Sequence, residues 1–253
     1  MRLYRADLHV HTCLSPCGDL DMSPRAVVET ALARGLDIIA VCDHNSADNV
    51  AASLRAASRA GGRLVVLPGL EICTVEEVHL LALFDRLDSA LAMQKLVYSR
   101  MSDNVNRPEI FGEQVAANEF DEVEFFNDRL LIGAVDLDLI AAAAAVHRLG
   151  GLAAASHVDR RAFSLLGVLG FIPPGLDLDA LEVSPGCDLA GLFSRRPELR
   201  DWPIIRSSDA HHPAELGRAW TDFRLDNPSL SEIALALKGR EGRFLVGQTP
   251  GRD

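Results

Sequence analysis

The stretch Asp7-Leu8-His9-Val10-His11-Thr12 places two imidazoles on alternate positions at the end of an apolar segment. Side chains two apart on an extended strand point the same way, so His9 and His11 can grip one cation. Neutral imidazole is a common ligand of divalent transition metals. Alone, the pair is as readily explained by two satisfied polar residues at a strand end. The recurrence of strand-then-ligand is what carries weight: Asp43-His44, Glu71, His79, His157 and Asp209-Ala210-His211 each end or open an apolar run. Such scattered residues meet when the loops at the carboxyl ends of barrel strands build one site.

The elements that must position these groups alternate along the chain. Residues 2–11 form a first strand, and Ser23-Pro24 reads as an N-cap with proline at the first helical position of a helix closed by Gly35. A second strand, 36–42, is apolar almost throughout, as strands covered on both faces are, and a helix spans 47–60. A third strand, 63–67, leads through Pro68-Gly69 to Leu70-Glu71-Ile72, and a fourth, 78–84, carries His79 at its start. A helix covers 87–101. From 102 to 133 no clean period emerges, which predicts either an inserted lid over the barrel mouth or a disordered loop. An alanine-rich helix, 138–149, precedes strand 152–155, which delivers Ser156-His157. Strand 181–183 carries Glu182, a helical piece covers 189–194, strand 204–205 runs into Asp209, and a last helix at 229–238 is followed by a loose tail. This alternation predicts parallel pairing and an α/β barrel.

With 253 residues, 48% of them hydrophobic, the chain can bury the core of one barrel, and a single domain, 1–253, is expected, with 102–133 inserted in it. No apolar run approaches the roughly 18 residues that suggest a bilayer span. A net charge of −11 argues against a broad nucleic-acid surface while leaving room for a basic pocket that holds phosphate. Five scattered cysteines without a Cys-x-x-Cys unit suggest reduced thiols and a cytoplasmic setting.

The four segments around His9-Val10-His11, Asp43-His44, Gly69-Leu70-Glu71 and Asp209-Ala210-His211, in this order, resemble the motifs of the PHP (polymerase and histidinol phosphatase) family, in its small stand-alone phosphoesterase form. The likeness extends from residue 7 to about 217. It implies a distorted (β/α)7, TIM-like barrel and a site of two or three divalent ions, zinc, manganese or iron. Carried over by position, His9, His11, Glu71 and Asp209 would hold a first ion. Glu71 would bridge to a second, bound also by His79 and His157, and a third would take His44 and His211. The remaining ligand of the third ion is His or Asp in relatives, whereas here the neighbourhood reads Ser15-Pro16-Cys17. A Cys17 thiolate in that place favours zinc or iron over magnesium; a plain buried thiol leaves the third site weak or empty.

Glu71, Asp209 and His211 are the catalytic candidates. Arg160 and Arg161, just beyond His157, are the best-placed phosphate contacts, because guanidinium forks match phosphate oxygens; Arg195, Arg206 and Arg218 follow. Asn45 is a further substrate contact. Asp7 and Asp43 orient neighbouring imidazoles, His147 is structural, His212 is a surface residue or a spare proton donor, and Glu182 has no assigned role. The expected activity is hydrolysis of a phosphoester of a small substrate, such as a nucleotide, histidinol phosphate or a short nucleic-acid end. Two alternatives stand beside it. One is an amidohydrolase, many of which bridge two metals through a carboxylated lysine; here Lys95 and Lys238 both fall on expected helices. The other is a metal-holding module without catalysis.

Overall fold

A computed structural model of the chain describes residues 1–247. Strand β1 (Arg2–Val10) leads to helix α1 (Pro24–Ala33), where the Ser23 side chain accepts from the amide of Ala26 and Pro24 occupies the first turn. Strand β2 (Ile38–Val41) is buried along its whole length, helix α2 (Val50–Arg59) follows, and β3 (Val65–Cys73) completes a parallel β1–β2–β3 run. β3 passes unbroken through Pro68-Gly69. Its parallel register with β2 ends at Pro68, and a Cβ on Gly69 would lie 2.8 Å from Cys42 Sγ and 3.1 Å from the carbonyls of Val41 and Ala82. Glycine is what lets three strands close up two residues before Glu71.

Strand β4 (His79–Leu83) departs from the expected parallel pairing: it runs antiparallel to β3, with Cys73 opposite His79. Only residues 74–78 separate the two strands, and a parallel crossover needs a dozen or more. The reversal brings the first residue of β4 to the same end of the sheet as the last residue of β3. A candidate ligand at a strand start, His79, thereby joins candidate ligands at strand ends.

After helix α3 (Leu87–Tyr98), residues 102–133 form neither a helical layer nor a disordered loop. They hold a short helix α4 (Pro108–Phe111) and a separate hairpin of β5 (Val115–Ala117) and β6 (Val123–Phe126). Amide side chains fasten this excursion. Asn49 Nδ2 donates to Val115 O at 3.0 Å, and Asn45 Nδ2 donates to Leu131 O and Gly133 O, both at 2.8 Å. The Gln114 amide donates to Asn127 O and Arg129 O. Polar side chains bonded to backbone leave no hydrophobic period to read.

Helix α5 (Leu139–Arg148) carries β7 (Leu152–Ala155) back antiparallel to β4. Helix α6 (Leu165–Val168), strand β8 (Ala180–Val183), helix α7 (Leu189–Arg195) and strand β9 (Ile204–Arg206) then extend the sheet, with β7, β8 and β9 parallel. On the far edge, β10 (Thr221–Leu225) pairs antiparallel with β1, helix α8 (Leu230–Leu237) follows, and β11 (Phe244–Leu245) adds to β10. The sequence reading lacked β10, and it took as loose tail the residues that form β11; residues 248–253 of that tail lie outside the described residues. The sheet order is β11-β10-β1-β2-β3-β4-β7-β8-β9.

The sheet curls into a distorted, TIM-like barrel. An isolated parallel bridge, Val10 with Ala210, joins the end of β1 to the segment after β9, and His11 N donates to Ala210 O at 3.0 Å. One face packs on α1, α2, α3 and α5 in a large cluster that includes Val10, and the other packs on α8 in a cluster that includes Leu8. Among the described residues no helix is long and apolar enough to cross a membrane, and all five cysteines are free.

Candidate metal centre

Eight of the sequence-predicted residues meet at one end of the barrel. His9 Nε2 lies 3.4 Å from Glu71 Oε1 and 3.3 Å from Asp209 Oδ1, and His11 Nε2 lies 3.6 Å from Glu71 Oε2 and 3.2 Å from Asp209 Oδ1. His44 Nδ1, His79 Nδ1 and His157 Nε2 approach the same Glu71 carboxylate at 3.0, 3.1 and 3.4 Å. His211 stacks on His11 with ring centroids 4.0 Å apart. Local backbone explains the convergence. The β1–β2 register shifts between Asp7 and Val10, and a bulge of this kind re-aims side chains. The chain after β2 continues to pair with β3: Asn45 N donates to Glu71 O, and Glu71 N donates to Asp43 O. His157 and Asp209 both have left-handed backbone, φ +30 and +50, a conformation that clusters at functional sites.

Hydrogen bonds to the outer nitrogens set the tautomers. His9 Nδ1 faces the Glu182 carboxylate at 3.0 and 3.2 Å, and a carboxylate only accepts. Ser15 Oγ donates to Asp43 Oδ1 at 2.7 Å, so at 2.9 Å His11 Nδ1 must donate to Ser15. His211 Nδ1 donates to Asp209 O at 2.9 Å. In the neutral rings Nε2 is then left as a lone pair, and the lone pairs of His9 and His11 face each other 3.0 Å apart. Two acceptors at that distance repel unless something positive lies against both. Glu71 Oε1, His44 Nδ1, His157 Nδ1 and both ring nitrogens of His79 are buried without a hydrogen-bond partner, a state that native structures rarely tolerate. Divalent cations satisfy this donor set. Three groups have ligand atoms within 4.8 Å of one another: His9–His11–Glu71, His44–Glu71–His79 and His11–His44–His211.

Charge suits the same occupant. Burial penalises the Glu71 carboxylate, but the facing His79 and His9 outweigh it and hold the acid well below the usual carboxylate range. Asp209 is likewise held low, burial being overcome by His9 and His11. Burial pushes the Cys17 thiol up, but His211 and His44 beside it bring it down to about 6. Cys17 itself is exposed at the rim.

The mouth is a cavity of about 320 Å³ whose walls include Arg160, Ile132 and Phe163. Arg160 pairs with Asp209 Oδ2 at 2.6 Å. Arg161 is exposed and does not line the cavity, although its neighbours Arg160, Ala162 and Phe163 do. Neither do Arg195, Arg206 and Arg218; Arg206 donates to the carbonyls of Ser184, Pro185 and Cys187, and Arg218 pairs with Glu215. Asn45 is fully buried, its Oδ1 accepts from Cys73 N, and its Nδ2 holds the excursion, so it anchors a loop rather than contacting substrate. Asp7 accepts from Ser208 N and Gly217 N and fastens the Asp209 loop, touching no imidazole. Asp43 does orient His11, through Ser15. His147 pairs with Asp179 at 2.8 Å away from the site, and His212 is exposed near Asp19. Sequence reasoning missed Ser15 and left Glu182 unassigned; an acid inside the otherwise apolar β8 was the available signal.

Known proteins share these features in part. Residues 7–159 match the PHP domain model, and residues 198–241 match the PHP-associated model. YqxK of Bacillus subtilis (strain 168), an uncharacterised protein, is 29% identical over 107 residues, covering 40% of this chain and 27% of that protein. The 5'-3' exoribonuclease Rnm of Escherichia coli (strain K12) is 37% identical over 73 residues, covering 29% of this chain and 24% of that protein. Each match thus takes in about a quarter of the relative's length. The lesion-specific endonuclease PfuEndoQ of Pyrococcus furiosus superposes with a TM-score of 0.68 at 18% identity, covering 96% of this chain and 58% of that one, a likeness of fold. Because the PHP domain model runs through more than half of the sequence, from the second half of β1 through β7, this chain belongs to the PHP family.

Proposed function

We propose that the chain is a metal-dependent phosphoesterase that hydrolyses a phosphomonoester or phosphodiester of a small substrate. The observation that carries this reading is the Glu71 carboxylate, with five imidazoles reaching it within 3.0–3.6 Å. In this reading His9, His11, Glu71 and Asp209 hold one divalent ion, and Glu71, His79 and His157 hold a second. His44, His211 and the Cys17 thiolate hold a third. Divalent ions in such a cluster lower the pKa of a water and clamp the oxygens of an in-line displacement at phosphorus.

The chain's own groups do the rest. Glu71, buried and held in its ionised form by the facing imidazoles, would be the carboxylate shared by two of the ions. Arg160 turns its guanidinium to the phosphate, and Ile132 and Phe163 narrow the mouth against water. His211, half-buried beside Asp209, keeps its Nδ1 proton on the Asp209 carbonyl and would offer Nε2 to the third ion. A relative named as an exoribonuclease supports a phosphodiester in a nucleic-acid end, and the net charge of −11 favours a short end over a long duplex. Nucleotides and histidinol phosphate are the small-molecule candidates. Free thiols at all five cysteines support a cytoplasmic setting, and the described residues act as one barrel domain with 102–133 inserted in it as a lid.

The test strips the protein with a chelator, reloads it with manganese, zinc or iron, and assays chromogenic phosphoesters, nucleotides, histidinol phosphate and 5'-phosphorylated oligonucleotides. Turnover that depends on metal is expected; bound metal with no turnover on any of them would make the chain a metal-holding module instead. Arg160→Ala should raise KM about 10- to 100-fold with kcat little changed, since a charged hydrogen bond contributes roughly 1.5–3 kcal/mol. An effect confined to kcat would move the Arg160 contact to the transition state. Cys17→Ser should cost one equivalent of metal by elemental analysis, because a thiolate is the softest donor in the set. Unchanged stoichiometry would remove Cys17 from the ligands.

A further inference from the structure

We propose that Glu182 is a positioning residue that ties the first and second cation subsites together, an inference that rests on the metal-site reading above. Glu182 lies within β8 with 1% of its surface exposed, and the basic groups within ion-pair distance of it reduce, among the described residues, to the His9 ring. A buried carboxylate without a permanent cationic partner is costly to keep, so its contacts are informative. Oε2 accepts from His9 Nδ1 and from the backbone amide of His157, each at 3.0 Å, while Oε1 lies 3.2 Å from the same His9 nitrogen. The main chain of Glu182 joins in, its carbonyl accepting from Val158 N at 2.8 Å.

One oxygen atom therefore fixes two things. It keeps the proton of His9 on Nδ1 and leaves Nε2 as a lone pair pointing at Glu71 and Asp209. It also holds His157 in its left-handed turn, φ +30, from which the ring reaches Glu71 Oε1. His9 Nε2 and His157 Nε2 both lie 3.4 Å from Glu71 Oε1, with their rings stacked at 6.1 Å. The His11–His44–His211 group is oriented by other means, through Ser15, Asp43 and the Asp209 carbonyl. Glu182 thus serves the subsites of His9 and His157 jointly and leaves the remaining one alone.

The experiment titrates the chelator-stripped full chain with manganese and with zinc against a chromogenic competitor, for wild type, Glu182→Gln, Glu182→Asp and Ser15→Ala. Ring nitrogen spectra of histidine-labelled protein are recorded beside it. A glutamine can turn one oxygen to His9 and His157, but its amide then opposes the His9 N–H. Glu182→Gln should weaken the two Glu71-linked cations together, 10- to 100-fold, and move the His9 ring away from its Nδ1–H form even without metal. The third equivalent should keep its wild-type affinity, and Ser15→Ala, which removes the partner of His11 Nδ1, should weaken the first equivalent while leaving the His157 subsite as it was. Glu182→Asp should restore part of the loss, and its thermal melting separates misfolding from mispositioning.

Wild-type affinities and His9 ring signals in a folded Glu182→Gln would overturn the inference while leaving the metal site standing. Loss of one Glu71-linked cation alone would also overturn it. A wild-type chain that takes up no cation would bring down the metal-site reading itself.

Discussion

Glu71→Gln should abolish turnover and remove at least one bound cation while the chain stays folded. Glu71 is the only carboxylate among the described residues that stands within 3.6 Å of His9, His11, His44, His79 and His157 together. An amide keeps the shape of the side chain, but it loses the charge and one of the two oxygens a bridge needs. Several kcal/mol of transition-state stabilisation depend on such a cluster, so kcat/KM should fall on the order of 1,000-fold or more. The cost to folding is the opposite problem. Glu71 lies 1% exposed among imidazoles, and removing one partner of a buried charged set costs roughly 3–5 kcal/mol. Circular dichroism before assay separates the two effects, and a folded variant with wild-type turnover would remove Glu71 from the chemistry.

The second large effect is thermal. In the metal-free protein the Nε2 atoms of His9 and His11 face each other at 3.0 Å, and five buried polar atoms of the Glu71 cluster lack hydrogen-bond partners. A cation that binds this folded arrangement but not the unfolded chain stabilises by about 4 kcal/mol at 1,000 times its Kd. For a chain of this size that is a rise in Tm on the order of 8–16 °C. Calorimetry on stripped and reloaded protein reads it directly. Equal Tm values would mean that the imidazoles satisfy one another without metal, and in Glu71→Gln the rise should shrink or vanish.

The convergence of the candidate ligands was legible because each is a chemically distinctive residue at the edge of an apolar run, and a period of two suffices to pair His9 with His11. The direction of β4 was also open to reading, since five residues cannot make a parallel crossover, yet alternation of strands and helices suggested parallel pairing throughout. Glu182 was not legible: its meaning lies in a hydrogen bond to a ring 173 positions away, and no local pattern encodes that. Asn45 misled for the converse reason. A polar residue next to a ligand looks like a substrate contact, and only the carbonyls of Leu131 and Gly133 reveal it as an anchor. The excursion of residues 102–133 resisted reading because side-chain amides bonded to backbone, rather than an apolar face, hold it in place. Gly69 marks the reverse case, a residue whose importance lies in the atoms it leaves room for.

The most direct measurement is anomalous diffraction from crystals of the reloaded protein, collected on both sides of the metal edge. The account predicts metal peaks bonded to the Glu71 carboxylate and to Nε2 of His9 and His11. Anomalous maps with no peak at Glu71, or with metal only elsewhere on the molecule, would contradict it.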